Sequence, residues 1–234
     1  MHSLVVVSHP DPNSLTHAIA NAVASGIRAM DPSASVEIAD LAAEGFDPRE
    51  TARDLAVHLR TATSAQDVLA EQARIDRADR LVLVYPVYWW SFPALLKGWI
   101  DRVFSNGWAY ESGNTSTRKK LGRLEVALVA VAGADAGTYA RHGYFGAMRA
   151  QIDHGIFDYC GARVTRHELL LESHATSQQA ESRRGLPARP HAGAAPRGLR
   201  TTVIALRICG SCGQPTDPDL HGNCTTFQRF ERST

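Results

Sequence analysis

Between Pro86 and Pro93 the chain reads Val87-Tyr88-Trp89-Trp90-Ser91-Phe92, four aromatic side chains following directly on the apolar run Leu81-Val82-Leu83-Val84-Tyr85. Rings at the mouth of a strand suit a flat conjugated ligand, because they stack on its faces while backbone amides reach its edge. The same rings would equally plug a core or line an interface between two copies. Residues 8–16 hold His9, Asn13, Ser14 and Thr16 beside the start of a helix, where free backbone N–H groups favour a phosphate. The alternative there is a capped turn carrying a surface histidine. Residues 132–139, with Gly133, Ala134 and Gly137, let backbone approach a ligand closely. Neither G-x-G-x-x-G nor G-x-x-x-x-G-K-[ST] occurs in the first of these loops, so the usual dinucleotide and P-loop arrangements are excluded.

The elements that must position these loops follow from periodicity. Leu4 to Val7 is a β-branched run without alternation, as in a strand buried on both faces. Asn13 or Ser14 caps a helix over about 15–30, whose Leu15, Ile19, Val23 and Ile27 share one face. A second strand is expected at 36–38, two helices between 49 and 80, and a third strand at 81–85. A helix over 94–104, a strand over 126–131, a helix over 143–157 and a fifth strand over 164–171 complete the pattern. Strands alternating with helices imply a parallel sheet covered on both sides, a three-layer α/β sandwich. Five strands favour the flavodoxin-like order 2-1-3-4-5, with ligands bound beyond the carboxyl ends of the strands at the point where the order reverses. All three loops belong at that edge.

The chain has 234 residues, 44% hydrophobic and 21% charged, with 25 basic against 24 acidic side chains. That composition is globular, and a net charge of +1 gives no field for nucleic acid or an anionic membrane. The apolar runs are too short for membrane insertion or a signal-peptide core, so a cytoplasmic location is the expectation. The composition changes after about Thr176, where Arg, Gly, Pro and Ala crowd residues 178–200. We therefore divide the chain into a ligand-binding domain over 1–176, a linker or disordered stretch over 177–200, and a Cys-containing tail over 201–234. In the tail, Cys209-x-x-Cys212 and His221-x-x-Cys224 have the spacing of a tetrahedral zinc site. The other reading is a set of incidental cysteines in a disordered or frame-shifted end, which leaves the protein without a metal.

Taken together, the loops resemble those of the flavin-dependent NAD(P)H:quinone oxidoreductases. That family includes the DT-diaphorases, bacterial quinone reductases and the ancillary subunits of potassium efflux systems. The residues carrying the likeness are Ser8-His9-Pro10 with Ser14-Leu15-Thr16, and the long run from Tyr85 through Tyr88-Trp89-Trp90-Ser91-Phe92-Pro93 to Lys97-Gly98-Trp99-Ile100-Asp101-Arg102-Val103-Phe104. Gly107-Trp108-Ala109-Tyr110 and Gly155-Ile156-Phe157-Asp158-Tyr159-Cys160-Gly161 continue it.

The resemblance implies a flavodoxin-like fold, a bound flavin (FAD, with FMN the alternative) and a homodimer. It implies two-electron hydride transfer from NAD(P)H through the flavin to a quinone or another flat aromatic acceptor, by a ping-pong cycle. By position, His9, Ser14, Leu15 and Thr16 would hold phosphate or adenylate groups. Pro86, Val87, Tyr88, Trp89 and Trp90 would flank the ring system, with Gly133 and Ala134 beneath its polar edge and Asp101 an acid near the cofactor. Trp89, Trp90, Tyr110, Tyr139 and Tyr144 would border the substrate. The family pairs a tyrosine with a histidine for proton movement. Tyr139 matches the tyrosine, but Phe145 stands at the histidine's spacing, leaving His142 as the nearby substitute. Azo or nitro reduction would use the same slot, and a flavin-binding regulatory subunit of a potassium efflux system would share fold and loops.

Overall fold

The computed structural model describes residues 1–113 and 116–173. Its main sheet is built from β1 (His2–Val7), β2 (Ser35–Asp40), β3 (Arg80–Pro86), β6 (Glu125–Val131) and β7 (Arg163–Leu170). All neighbours run parallel, in the order β2-β1-β3-β6-β7. β4 (Tyr110–Ser112) and β5 (Thr117–Lys119) pair only with each other as an antiparallel hairpin. Setting that hairpin aside, the order is the expected 2-1-3-4-5.

The unbroken apolar run of β1 follows from its central place. Leu4 and Val6 enter one core layer with Leu81, Leu83, Tyr85 and Leu128, whereas Val5 and Val7 enter the other with Val82, Val84 and Ala20. A strand with both faces buried has no use for alternation. The second layer is covered by α1 (Leu15–Met30), through Ile19, Val23 and Ile27. The first is covered by α3 (Gln66–Arg77) and α4 (Ala94–Val103), whose Ile75, Leu96, Trp99 and Ile100 are buried. The short α2 (Ala52–His58) starts with a reciprocal capping box between Thr51 and Asp54. Buried polar bonds tie these helices together, with Trp99 Nε1 donating to Glu71 at 2.8 Å and Gln72 Nε2 to the Val103 carbonyl at 3.0 Å.

Three features differ from expectation. The hairpin β4–β5 falls between the helix expected over 94–104 and the strand expected over 126–131, where the sequence pattern assigns no element. The stretch 132–139 is not loop throughout, because Asp135 accepts from the Thr138 N–H and starts α5 (Ala136–His142). The single helix expected over 143–157 is two pieces, α6 (Tyr144–Met148) and a π-helical segment, Arg149–Asp158. Gly143, at φ 65°, makes the corner between α5 and α6. Among the described residues no helix is long and apolar enough to cross a membrane. The linker and the residues Cys209, Cys212, His221 and Cys224 lie outside the described residues.

Candidate active site

The carboxyl edge of the sheet is stitched by backbone bonds that bring the three loops side by side. The Ser8 N–H donates to the Val84 carbonyl (3.2 Å), that of Val87 to Val131 (2.8 Å) and that of Ala132 to Leu170 (2.7 Å). β1 is the strand at which the order reverses, so the crevice opens between its loop and that of β3.

The first loop is a preformed helix start. Ser14 caps α1, its hydroxyl oxygen accepting the His17 N–H at 3.3 Å. His9 Nδ1 lies 3.0 Å from the Asp11 backbone nitrogen and 3.2 Å from the Asp11 carbonyl oxygen, which holds the ring against its own loop. Thr16 is buried and Leu15 half-buried. Ser8 is 1% exposed, and its hydroxyl has no partner. An orphaned buried hydroxyl in the loop that leads into a sixteen-residue helix suits a site for an anionic group.

The second loop is strained. Tyr88 and Ser91 exchange backbone hydrogen bonds at 3.2 and 3.1 Å, and between them Trp89 and Trp90 stand at φ 51° and 60°. A two-residue turn with both central residues at positive φ ordinarily takes Asn or Gly. Two adjacent tryptophans there cost about 1–2 kcal/mol each. Trp89 is nevertheless 93% exposed, so the strain is not offset by packing of its ring against the domain. Trp90 turns inward, flat on Tyr144 and edge-on to Tyr139 at 5.3 Å. Pro86 is buried, Val87 half-buried and Tyr88 exposed. The Ser91 hydroxyl donates to Gln151 in the π-helical segment, fixing the loop's far end.

The third loop leaves Gly133 exposed and Ala134 half-buried before α5 begins. Tyr139 is buried on α5, its hydroxyl has no partner, and burial raises its pKa, so it stays protonated. The exposed His142 lies against Tyr144, with ring centroids 5.1 Å apart. The site thus gathers Trp90, Tyr139, His142 and Tyr144 into one aromatic group. Two further residues of the same reading have partners outside this aromatic group. Asp101 is exposed on α4 and paired with Lys97 at 2.6 Å. Tyr110, on the hairpin, contacts Tyr159 and sits 3.3 Å from His58 Nδ1.

Several polar residues near this edge escaped the sequence. His17 bridges Ser14 and Asp40, with Nδ1 2.9 Å from the serine oxygen and Nε2 2.8 Å from the carboxylate. The spacing Ser14-x-x-His17 on one helix face was the available signal; Asp40, on another strand, gave none. His167 Nδ1 contacts Asp153 Oδ1 at 2.7 Å beneath Phe145, while its Nε2 is buried without a partner. The Tyr85 hydroxyl is likewise unpartnered, and burial, with Asp153 and Tyr139 near, holds it protonated. Among the described residues no group of three or more His, Cys, Asp or Glu side chains could hold a metal ion.

A doubly wound parallel sheet with its site at this edge defines the flavodoxin-like class. The chain belongs to the flavodoxin-like fold family, whose model matches residues 1–186. It is 28% identical over 205 residues to the ribosyldihydronicotinamide dehydrogenase [quinone] of Pongo abelii, covering 79% of this chain and 87% of that protein. Its structure resembles that of a putative quinone reductase from Klebsiella pneumoniae, with a TM-score of 0.66 and 25% identity over 78% of this chain and 80% of the other. It also resembles the general stress protein 14 of Treponema denticola in complex with FMN, with a TM-score of 0.51 and 25% identity over 78% and 92% of the two chains. The likeness to quinone oxidoreductases read from the loops therefore extends through the whole domain.

Proposed function

We propose that this protein is a flavin-dependent NAD(P)H:quinone oxidoreductase. One observation carries the reading: Trp89, 93% exposed, is held on a strained turn at the carboxyl end of β3, where a flat ligand would bind. An exposed aromatic kept in an unfavourable backbone conformation needs a partner from outside the described fold, and a stacked ring system is such a partner. The quinone-reducing relative and the FMN complex support the same reading.

On this reading His9, Ser14, Leu15 and Thr16 hold phosphate or adenylate groups, and residues 86–90 border the rings. Gly133 and Ala134 offer backbone N–H groups to the polar edge. When bound, the flavin supplies two-electron chemistry, taking hydride from NAD(P)H and passing it to a quinone in alternating half-reactions. The chain's own part is positioning and proton supply. Trp90, Tyr139 and Tyr144 wall the slot against water, and the protonated Tyr139 hydroxyl is free to donate to an oxygen that gains negative charge. We assign FAD as the flavin, FMN as the alternative, and a homodimer in which Trp89 of each copy faces the shared site.

The test is reconstitution. The protein should turn yellow with FAD or FMN, retain it through gel filtration as a dimer, and oxidise NADPH with menadione. Heat release and mass measurement then identify the flavin. A colourless protein with no turnover would sink the proposal.

A further inference from the structure

Both ring nitrogens of His17 are engaged, Nε2 by Asp40 and Nδ1 by the Ser14 hydroxyl, and the side chain is only 11% exposed. Burial opposes charge on Asp40, but the N–H groups of Ala43 and Ala42 and the imidazole outweigh it, so this carboxyl titrates below its ordinary range. The carboxylate only accepts, so His17 Nε2 must carry a proton and donate. In the neutral ring Nδ1 is then a bare lone pair, and the Ser14 hydroxyl turns its single hydrogen inward to meet it. The same oxygen already accepts the His17 backbone N–H. What Ser14 presents outward is a lone pair, which repels an anionic oxygen.

Protonation of His17 reverses this arrangement. Nδ1–H donates to the Ser14 oxygen, the hydroxyl hydrogen is freed to point outward, and the His17–Asp40 pair changes from a net negative charge to none. Both changes favour an anion at the amino end of α1, into which the loop carrying the unpartnered Ser8 hydroxyl leads.

We propose that His17 couples binding of the flavin's phosphate groups to uptake of one proton, with Ser14 as the hydroxyl that the proton switches from acceptor to donor. This rests on the flavin reading above. His9 also faces the pair, its ring edge-on to that of His17 with centroids 6.3 Å apart.

The test is calorimetric titration of the full-length apoprotein with FAD, whose pyrophosphate does not titrate near neutrality, in two buffers of different ionisation enthalpy. Net proton uptake is expected on binding, and the FAD Kd should weaken as pH rises, by at most about tenfold per pH unit for a single proton. In His17→Gln, FAD should still bind, with no proton uptake and a flat pH profile. Should only FMN bind, its own phosphate titrates, and the wild-type uptake minus that of His17→Gln becomes the readout. FAD binding without proton uptake in the wild type overturns the coupling and leaves the flavin reading standing. Uptake that survives His17→Gln but vanishes in His9→Gln does the same. A protein that takes up neither flavin overturns both.

Discussion

The ring of Trp90 lies on that of Tyr144, with centroids 3.7 Å apart and planes 12° from parallel. This stack joins the loop after β3 to the start of α6, and Tyr139 closes the corner edge-on to both rings. Adjacent tryptophans thus have opposite duties. Trp90 anchors its turn to the domain, and Trp89 is held out to solvent by the same turn.

That division predicts a trade of stability against binding at Trp89. Trp89→Gly relieves a positive φ at an exposed position, so thermal unfolding should rise by the equivalent of about 1–2 kcal/mol. Flavin affinity should fall by about tenfold or more, from the lost stacking surface. Trp108 serves as the contrast, because it packs edge-on to Phe104 and donates to Asp76 at 3.2 Å. Trp108→Ala should lower the melting temperature and leave flavin affinity near wild type. Melting curves and flavin titrations of the two variants check this, and the same pattern in both would contradict it.

Tyr139→Phe removes a buried hydroxyl that has no hydrogen-bond partner. Stability should hold, or gain up to about 1 kcal/mol, since no bond is lost. If the hydroxyl supplies a proton, quinone turnover should drop by about a hundredfold while flavin retention is unchanged. Unchanged kcat would remove Tyr139 from the proton supply and turn attention to His142.

Strand order and the three loops were legible because buried parallel strands write themselves as uninterrupted Leu and Val runs, as in Leu81 to Val84. The residues 86–93 stood out because aromatics between prolines are unlike either helix or strand. The hairpin β4–β5 was not legible, because three-residue strands reading Tyr-Glu-Ser and Thr-Arg-Lys have no apolar period. The cross-strand pair Glu111–Arg118 helps hold it, and such a pair exists only once the chain has turned. The π-helical segment is invisible for a related reason. Its side chains Gln151 and Asp153 meet Ser91 and His167, partners 60 and 14 residues away that a local pattern does not reveal. His17–Asp40 is likewise a product of the sheet order, which lays β2 beside β1.

Acid should find a weak point under α4. Arg102 and Asp54 are 4% and 7% exposed, and the guanidinium also donates to Asp67 and to the Asp47 carbonyl, both at 2.7 Å. Burial opposes the charge on Asp54, but Thr51 and Arg102 outweigh it, so its folded pKa lies below the ordinary value. A lowered carboxylate pKa contributes stability that is present above about pH 4 and lost as pH falls through the folded value. Asp54→Asn should therefore cost about 3 kcal/mol near neutrality and progressively less as pH falls through the folded value, so that urea midpoints of variant and wild type converge in acid. A loss of the same size at every pH would assign the effect to packing instead.

Gly98 and Gly26 both lie inside helices, and the structure predicts opposite outcomes for the same substitution. A Cβ on Gly98 would stand 2.2 Å from the Pro48 carbonyl oxygen, 2.5 Å from its Cβ and 2.8 Å from its carbonyl carbon. Two of those atoms are backbone, so α4 or the segment after β2 must move. α4 begins directly after the aromatic loop, with Pro93 at its cap position, and carries the fully buried Leu96 and Trp99. Gly98→Ala should therefore cost about 1–3 kcal/mol and weaken flavin binding although the residue touches no part of the crevice. A Cβ on Gly26 meets nothing within 4 Å and its φ is ordinary, so Gly26→Ala in α1 should gain about 0.5–1 kcal/mol with flavin affinity unchanged. Denaturant unfolding and flavin titration of the two variants test the contrast directly. If Gly98→Ala behaves like Gly26→Ala, then α4 does not rest against Pro48, and the positioning of the aromatic loop must come from Trp90 and Ser91 alone.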